Sequence, residues 1–341
     1  MVNASRPHQP TPDPTHHIDT VRSASVSGAV AGHLPLSTQR LLIVTGKGGV
    51  GKSAVTAALA RAISAGGRRV LAVEVGRNRV GTLLGAPNPL GPEPTILGPR
   101  LAAASIEAED ALGDFVLSVL RFKLLARRLL ESTSFQVLAA AAPGLAEFLI
   151  LHKLQGWLTA RRLGRQLFDV VVVDAPASGH SLPLLAAPQT LGTLARIGPI
   201  ADSLSSLQTS LRDPAYTLVC IVTTPEEMAV REATELHAEL TQRLGLPVAP
   251  PIVNAMPPRR FTAEDTVVLD RLEQSVPGHP YLAAARFESA RRHHAAAQVK
   301  ALAAATASQP VRLPFLFVGP EDPEGMQRLT RALADAAGLA A

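Results

Sequence analysis

The feature that most constrains this chain is the stretch over residues 41–65, LLIVTGKGGVGKSAVTAALARAISA. It opens as an apolar, β-branched run suited to a strand buried on both faces, breaks into glycines, and continues as an alanine-rich amphipathic segment. The predicted order is strand, glycine loop, helix. Gly46, Gly51, Lys52 and Ser53 match G-x-x-x-x-G-K-[ST], and each position has a physical task. The glycines let the backbone turn so that successive N–H groups face one anion. The Lys52 ammonium neutralises β- and γ-phosphate oxygens, and the Ser53 hydroxyl ligates Mg2+. The new helix aims the positive end of its dipole at the same anion.

A second lysine sets the loop apart. Lys47 directly follows Gly46, where an ordinary phosphate loop needs no cation, and a solvated surface lysine is the alternative reading. The whole run Gly46, Lys47, Gly48, Gly49, Val50, Gly51, Lys52, Ser53 and Ala54 is the candidate nucleotide-binding loop. Gly66-Gly67 ends the helix, and residues 70–75, VLAVEV, form the next strand, giving a right-handed βαβ unit of parallel sheet.

FDVVVVD at 168–174 reads as a second strand covered on both faces and ending in a carboxylate. Asp174 then falls at the carboxyl edge of the sheet, where the phosphate loop also emerges and where ligands bind in open α/β folds. It can hold Mg2+ through water, and a turn-capping aspartate is the alternative. In the turn that follows, Gly179 can present a backbone N–H to a γ-phosphate, and His180 is either a switch residue or a structural one. Further strands are expected at 217–224, at about 249–255 and at 311–318. Asn254 ends the second of these at the ligand edge, where its amide can pair with the donor and acceptor of an adenine; a turn-forming Asn before Pro257-Pro258 competes. Thr224-Pro225-Glu226-Glu227 has the form of a capping box, with Gly245 closing its helix.

Composition limits what surrounds this frame. The 341 residues are 47% hydrophobic, enough to bury a large core, and a net charge of +5 spread over 18% charged residues is too diffuse to argue for nucleic acid. Cys220 is the only cysteine, which excludes an internal disulfide framework and any all-cysteine metal site; within TLVCIV it reads as a buried, inert thiol. Residues 1–38, rich in Pro, Ser, Thr and His, read as a disordered tail whose His16 and His17 have no geometry to select an ion. The folded unit is expected over 39–341, with helices at about 262–307 and a helical subdomain inserted at about 101–165, between the second strand and the strand of Asp174. In that insertion residues 115–130, FVLSVLRFKLLARRLL, are apolar around most of the circumference. Burial with snorkelling arginines is preferred to a groove for an apolar client or a membrane surface. No signal peptide or membrane-spanning stretch is found, so the cytoplasm is expected, with attachment to a membrane surface left open.

With these residues laid out, the chain resembles the family of ArsA and the ATPases that target tail-anchored proteins, in the wider group of MinD, ParA and the nitrogenase iron protein. The resemblance runs from about residue 41 to the C-terminus. Gly46 to Ser53 is similar to the family's deviant Walker A loop, Asp174 to Leu182 (DAPASGHSL) to its D-T-A-P-T-G-H-T-L switch, and Pro143-Gly144 with Glu147 to its helical region. Ile252-Val253-Asn254 resembles the adenine-binding I-V-N, and Leu313-Pro314 the C-terminal loop beside the nucleotide. The resemblance implies a P-loop ATPase that takes Mg2+ and ATP, closes as a homodimer or with a paralogous subunit so that Lys47 reaches the partner's phosphates, and passes that motion to a helical subdomain. Two features depart from it. Where the family carries T-D-P-A-H-S, this chain has Val73-Glu74-Val75-Gly76-Arg77-Asn78, with no aspartate to position water. Glu74 is the nearest carboxylate, shared in kind with an actinobacterial branch reading V-E-V, and a displacement of about one ångström there can lower the rate about a hundredfold. The arsenite-sensing cysteines and the C-x-x-C zinc clasp are also missing, so arsenite stimulation and zinc-bridged dimers do not carry over.

The expected protein is thus an α/β P-loop ATPase with a mostly parallel sheet flanked by helices. Lys47, Lys52 and Glu74 are its candidate catalytic residues and Ser53 and Asp174 its Mg2+ ligands. Two rivals remain: a nucleotide-gated binding module that hydrolyses ATP slowly or not at all, and a ParA-like protein on DNA, which would need clustered surface cations. The client, whether an anion, a membrane protein or another partner, is not legible.

Overall fold

The computed structural model describes residues 32–36, 38–76, 79–119, 142–193 and 198–339. Most of the expected tail, Arg77, Asn78 and residues 120–130 of the apolar helix lie outside them. The strands are β1 (Leu41–Gly46), β2 (Val70–Val75), β3 (Thr95–Gly98), β4 (Leu101–Ile106), the hairpin β5 (Arg161–Arg162) and β6 (Arg165–Gln166), β7 (Val170–Asp174), β8 (Thr217–Thr223), β9 (Ile252–Met256) and β10 (Val311–Pro314). Apart from the hairpin they form one eight-stranded sheet in the order β10-β9-β8-β1-β7-β2-β4-β3. Within it only β3 runs antiparallel to its neighbour.

Strand period fixes which residues reach the site. In β7, Val171 and Val173 enter one core layer while Val170 and Val172 enter the other. A period of two then places Asp174 on the second face. There it meets α1 (Lys52–Ala65), whose Ala54, Ala57, Ala58 and Leu59 belong to the same layer as α2 (Val80–Leu84) and α10 (Pro323–Ala336). Leu71, Val73 and Val75 of β2 enter the first layer, so Glu74 shares the α1 face and pairs in register with Asp174. The first layer holds α3 (Ala108–Val119), α4 (Leu145–Thr159), α5 (Ser178–Gly192), α6 (Pro199–Arg212), α7 (Glu227–Ala238) and α9 (Pro280–Thr306), with α8 (Ala263–Ser275) packed on α9. No helix among the described residues is long and apolar enough to cross a membrane.

Three local expectations change. The segment expected to be helical from residue 101 begins with a strand: LAAASI pairs with β2 over its whole length, and Ala102, Ala103 and Ala104 are buried. Alanine's intrinsic preference is helical, but small side chains suit a strand packed between two others, and tertiary pairing overrides propensity. The capping box expected at Thr224 does not form, because Glu226 occupies the N-cap with no side-chain bond. One forms instead at Thr262, whose hydroxyl accepts from the Asp265 N–H while the Asp265 carboxylate accepts from Thr262. The turn expected through Gly179 is the first turn of α5.

Candidate functional site

The loop between β1 and α1 takes its shape from two close approaches. Gly46 has φ 143°, and a Cβ there would lie 2.1 Å from the Val222 carbonyl oxygen of the adjacent β8, so only glycine lets β1 pass. Gly51, the residue before α1, has φ 93°, and its missing Cβ leaves room for the Asn254 amide nitrogen, 2.3 Å from where the carbon would stand. That amide donates to the Val50 carbonyl at 2.9 Å. Asn254, expected as a reader of adenine or as a turn-forming residue, thus braces the phosphate loop from β9 through its Nδ2, while its Oδ1 can act only as an acceptor.

The two lysines have different partners. The Lys52 ammonium lies across the loop and donates to the Lys47 carbonyl at 3.1 Å. Burial pulls it below its ordinary value, an effect that the nearby Asp174 carboxylate opposes. The Lys47 side chain turns the other way, to Glu232 Oε1 of α7 at 2.6 Å. Sequence reading did not find Glu232, which stands 185 positions away with no motif around it.

Ser53 and Asp174, the expected metal ligands, are in contact: the Ser53 hydroxyl donates to Asp174 Oδ2 at 2.6 Å, and the Thr56 hydroxyl lies 3.5 Å from Oδ1. Asp174 is raised from 3.8 to about 6, chiefly by burial, against the pull of the Ser53 hydrogen bond and the Lys52 charge, with Glu74 adding to the rise. A buried carboxylate beside a hydroxyl at the mouth of an anion loop is a donor set suited to Mg2+. That ion takes hard oxygens and is usually completed by waters and substrate phosphates. No group of three His, Cys, Asp or Glu suited to a metal occurs among the described residues.

Glu74 has another engagement. Its Oε2 accepts from the Val80 N–H at 2.9 Å with the Gly81 N–H beside it, while the Ser105 hydroxyl donates to the Gly76 carbonyl at 3.0 Å. Burial raises its pKa and the Val80 and Gly81 N–H groups lower it in part. The group expected to orient water is occupied in holding the start of α2 against β2. A link that sequence reading missed joins the loop strand to α5: the Thr45 hydroxyl of β1 donates to Ser181 Oγ at 2.8 Å, and both residues are fully buried. Cys220 is fully buried in β8.

Two cavities open on the described surface. One of about 370 Å3 lies beyond the ends of β9 and β10, lined by Pro258, Arg260, Phe261, Arg291, Phe315 and Phe317. Its rings are capped by cations, Arg260 at 5.6 Å from the Phe317 centroid and Arg291 at 5.3 Å from that of Phe315. The other, about 410 Å3, sits between the last turns of α1, the β3–β4 turn and α10, away from the loop. It holds none of the phosphate-binding residues.

A glycine loop on a helix N-terminus, a lysine over it and a serine–aspartate pair at the carboxyl edge of a parallel sheet define a P-loop nucleoside-triphosphate-binding protein. The comparisons with known proteins narrow the class. The anion-transporting ATPase (ArsA) family profile matches residues 39–209. The "ATPase BagA" of Mycobacterium tuberculosis is 33% identical over 238 residues, covering 67% of this chain and 69% of that protein. A "Putative arsenical pump-driving ATPase" of Halobacterium salinarum is 27% identical over 270 residues, covering 74% of this chain and 40% of its own length. An "Arsenical pump-driving ATPase" of Escherichia coli is 25% identical over 243 residues, covering 66% and 41% respectively. The chain belongs to the anion-transporting ATPase (ArsA) family, whose ATPases bind ATP. It spans about two-fifths of the length of the two arsenical pump proteins.

Proposed function

We propose that the protein binds Mg·ATP in the loop Gly46–Ser53, hydrolyses it, and couples the cycle to association of two copies and to movement of the helical layer around α4 and α5. The observation that carries the reading is the Ser53–Asp174 contact beside Lys52, which gathers a hydroxyl, a carboxylate and an ammonium at one anion loop. Phosphoryl transfer asks a protein mainly for positioning and charge stabilisation. The loop N–H groups hold the phosphates. Lys52 leaves the Lys47 carbonyl for the β- and γ-phosphate oxygens, and Ser53 and Asp174 hold the cation, Asp174 through water. Held there, the cation would supply charge neutralisation to the phosphates. The base lies toward the end of β9, where the Asn254 Oδ1 can accept from it and the arginine-capped aromatic cavity opens past Met256. Gly179, in the first turn of α5, directs a backbone N–H toward the γ-phosphate, and the Thr45–Ser181 bond carries loop movement into that helix. Lys47 serves the phosphates of the second copy. Glu74 acts as the anchor of α2. The proposed compartment is the cytoplasm, and the client is an anion, a membrane protein or another partner.

A second reading has its own support. The family's water-positioning aspartate is missing after β2, and the nearest carboxylate, Glu74, already bonds to α2. A nucleotide-gated module that turns over slowly fits these facts. Single-turnover hydrolysis separates the two. Lys52→Ala should abolish binding and turnover, and Lys47→Ala should abolish turnover while sparing ATP binding. A parent protein that binds Mg·ATP tightly and leaves it intact would establish the module instead.

A further inference from the structure

The loop's two cations are treated differently by the fold. Lys52 is directed inward, over its own loop. Lys47 is paired with Glu232, which stands on α7 at the border of its buried stripe, three residues after Ala229 and four before Leu236. α7 follows β8, and β8 is bonded to β1 up to the register pair Gly46 and Val222, so the sheet itself sets α7 beside the first residue of the loop. The other ionic groups near Glu232 on α7 are engaged with each other, Arg231 with Glu235 at 3.0 Å. Glu232 is therefore the carboxylate that holds the Lys47 ammonium within its own chain.

From this geometry we infer that Glu232 is a positioning residue that parks Lys47 in cis, and that closure of two copies on nucleotide exchanges this ion pair for Lys47 contacts with the second copy's phosphate. The inference rests on the proposed role of Lys47 toward that phosphate. A carboxylate and a phosphate compete for one ammonium, so every dimer contact made by Lys47 must first displace Glu232, and must do so in both copies. The side chains are 38% and 32% exposed, which keeps the pair weak enough to exchange. Removing the carboxylate should tighten nucleotide-dependent association by about two- to fivefold per lysine released, the range that partly exposed ion pairs support. The affinity of one copy for ATP should stay unchanged, because Glu232 bonds to the lysine that does not serve its own loop.

The test is sedimentation of the full chain with Mg2+ and a non-hydrolysable ATP analogue, and without nucleotide, for the parent, Glu232→Gln, Lys47→Ala and the double variant, with Glu232→Ala as a second substitution at the same place. The expected result is a tighter analogue-dependent dimer for both Glu232 variants, no change without nucleotide, and no effect of Glu232→Gln once Lys47 is alanine. A merely structural Glu232 would give the same effect in both backgrounds, which overturns the inference, as does a dimer constant that is unchanged or weaker in both Glu232 variants. If Lys47→Ala dimerises like the parent, the proposed trans role of Lys47 itself falls, a failure distinguishable from the other because it appears without any change at Glu232.

Discussion

Replacing Asp174 by asparagine should stabilise the metal-free protein and remove its response to Mg·ATP. Asp174 is 1% exposed and its pKa is raised from 3.8 to about 6, with burial the main cause. At about 1.36 kcal/mol per pKa unit, holding this carboxylate ionised at neutral pH costs about 3 kcal/mol. The sign follows from the raised value: the folded state favours the protonated acid, so the cost is absent below the unfolded value near pH 4, grows with pH, and is complete above about pH 6. Asparagine keeps an acceptor for the Ser53 hydroxyl but buries an NH2 donor where the carboxylate had an acceptor, at a cost of about 1 kcal/mol, leaving a net gain of about 2 kcal/mol. For a chain of this size that is a rise of about 3 °C in melting temperature. Thermal unfolding in EDTA at pH 7.5 and pH 5 measures it, with the advantage of the variant shrinking at the lower pH. Saturating Mg·ATP, at about a hundred times its dissociation constant, should then add about 2.7 kcal/mol to the parent and almost nothing to the variant. An Asp174→Asn protein that melts below the parent in EDTA at pH 7.5, or that Mg·ATP stabilises as much as the parent, would refute the reasoning.

Three further outcomes follow from the geometry. Gly51→Ala forces a side chain into the left-handed region and against the Asn254 amide, so it should cost about 2–3 kcal/mol in urea unfolding, reduced by about 1 kcal/mol in an Asn254→Ala background, where the obstruction is gone. Asp169 is held below the usual carboxylate range by its bonds to Arg69, the closest 2.6 Å; Asp169→Asn should cost about 1 kcal/mol at pH 7, a cost that vanishes as pH falls through the lowered value, seen as converging melting curves below about pH 4. The Cys220 thiol is fully buried and pushed up to about 12, so a disulfide exchange reagent should leave it unlabelled in the native protein and titrate one thiol after unfolding.

What the sequence disclosed, it disclosed through local chemistry. Glycines at Gly46 and Gly51, lysine at Lys52 and the valine run ending in Asp174 are short-range patterns whose geometry needs few neighbours, and the Ser53–Asp174 contact that they imply is present. The strand β4 was hidden because alanines carry a helical preference that pairing with β2 overrides. Glu232 and Ser181 were hidden because their meaning lies in contacts 185 and 136 positions distant, set by strand order rather than by any nearby residue. Glu74 was visible as a carboxylate next to the site, but only the three-dimensional path of α2 reveals that its oxygens bond to the Val80 N–H and its neighbours. Nothing local to Asn254 signals that its amide also supports the loop through Val50.

The account depends on a triphosphate and its magnesium ion being held by Lys52, Ser53 and Asp174. Calorimetric titration of the full chain with a non-hydrolysable ATP analogue, with and without Mg2+, tests it most directly. The account predicts one analogue per chain, binding that weakens sharply without Mg2+, and none in Lys52→Ala. Equal binding by the parent and Lys52→Ala, or no binding by the parent with Mg2+ present, would contradict it.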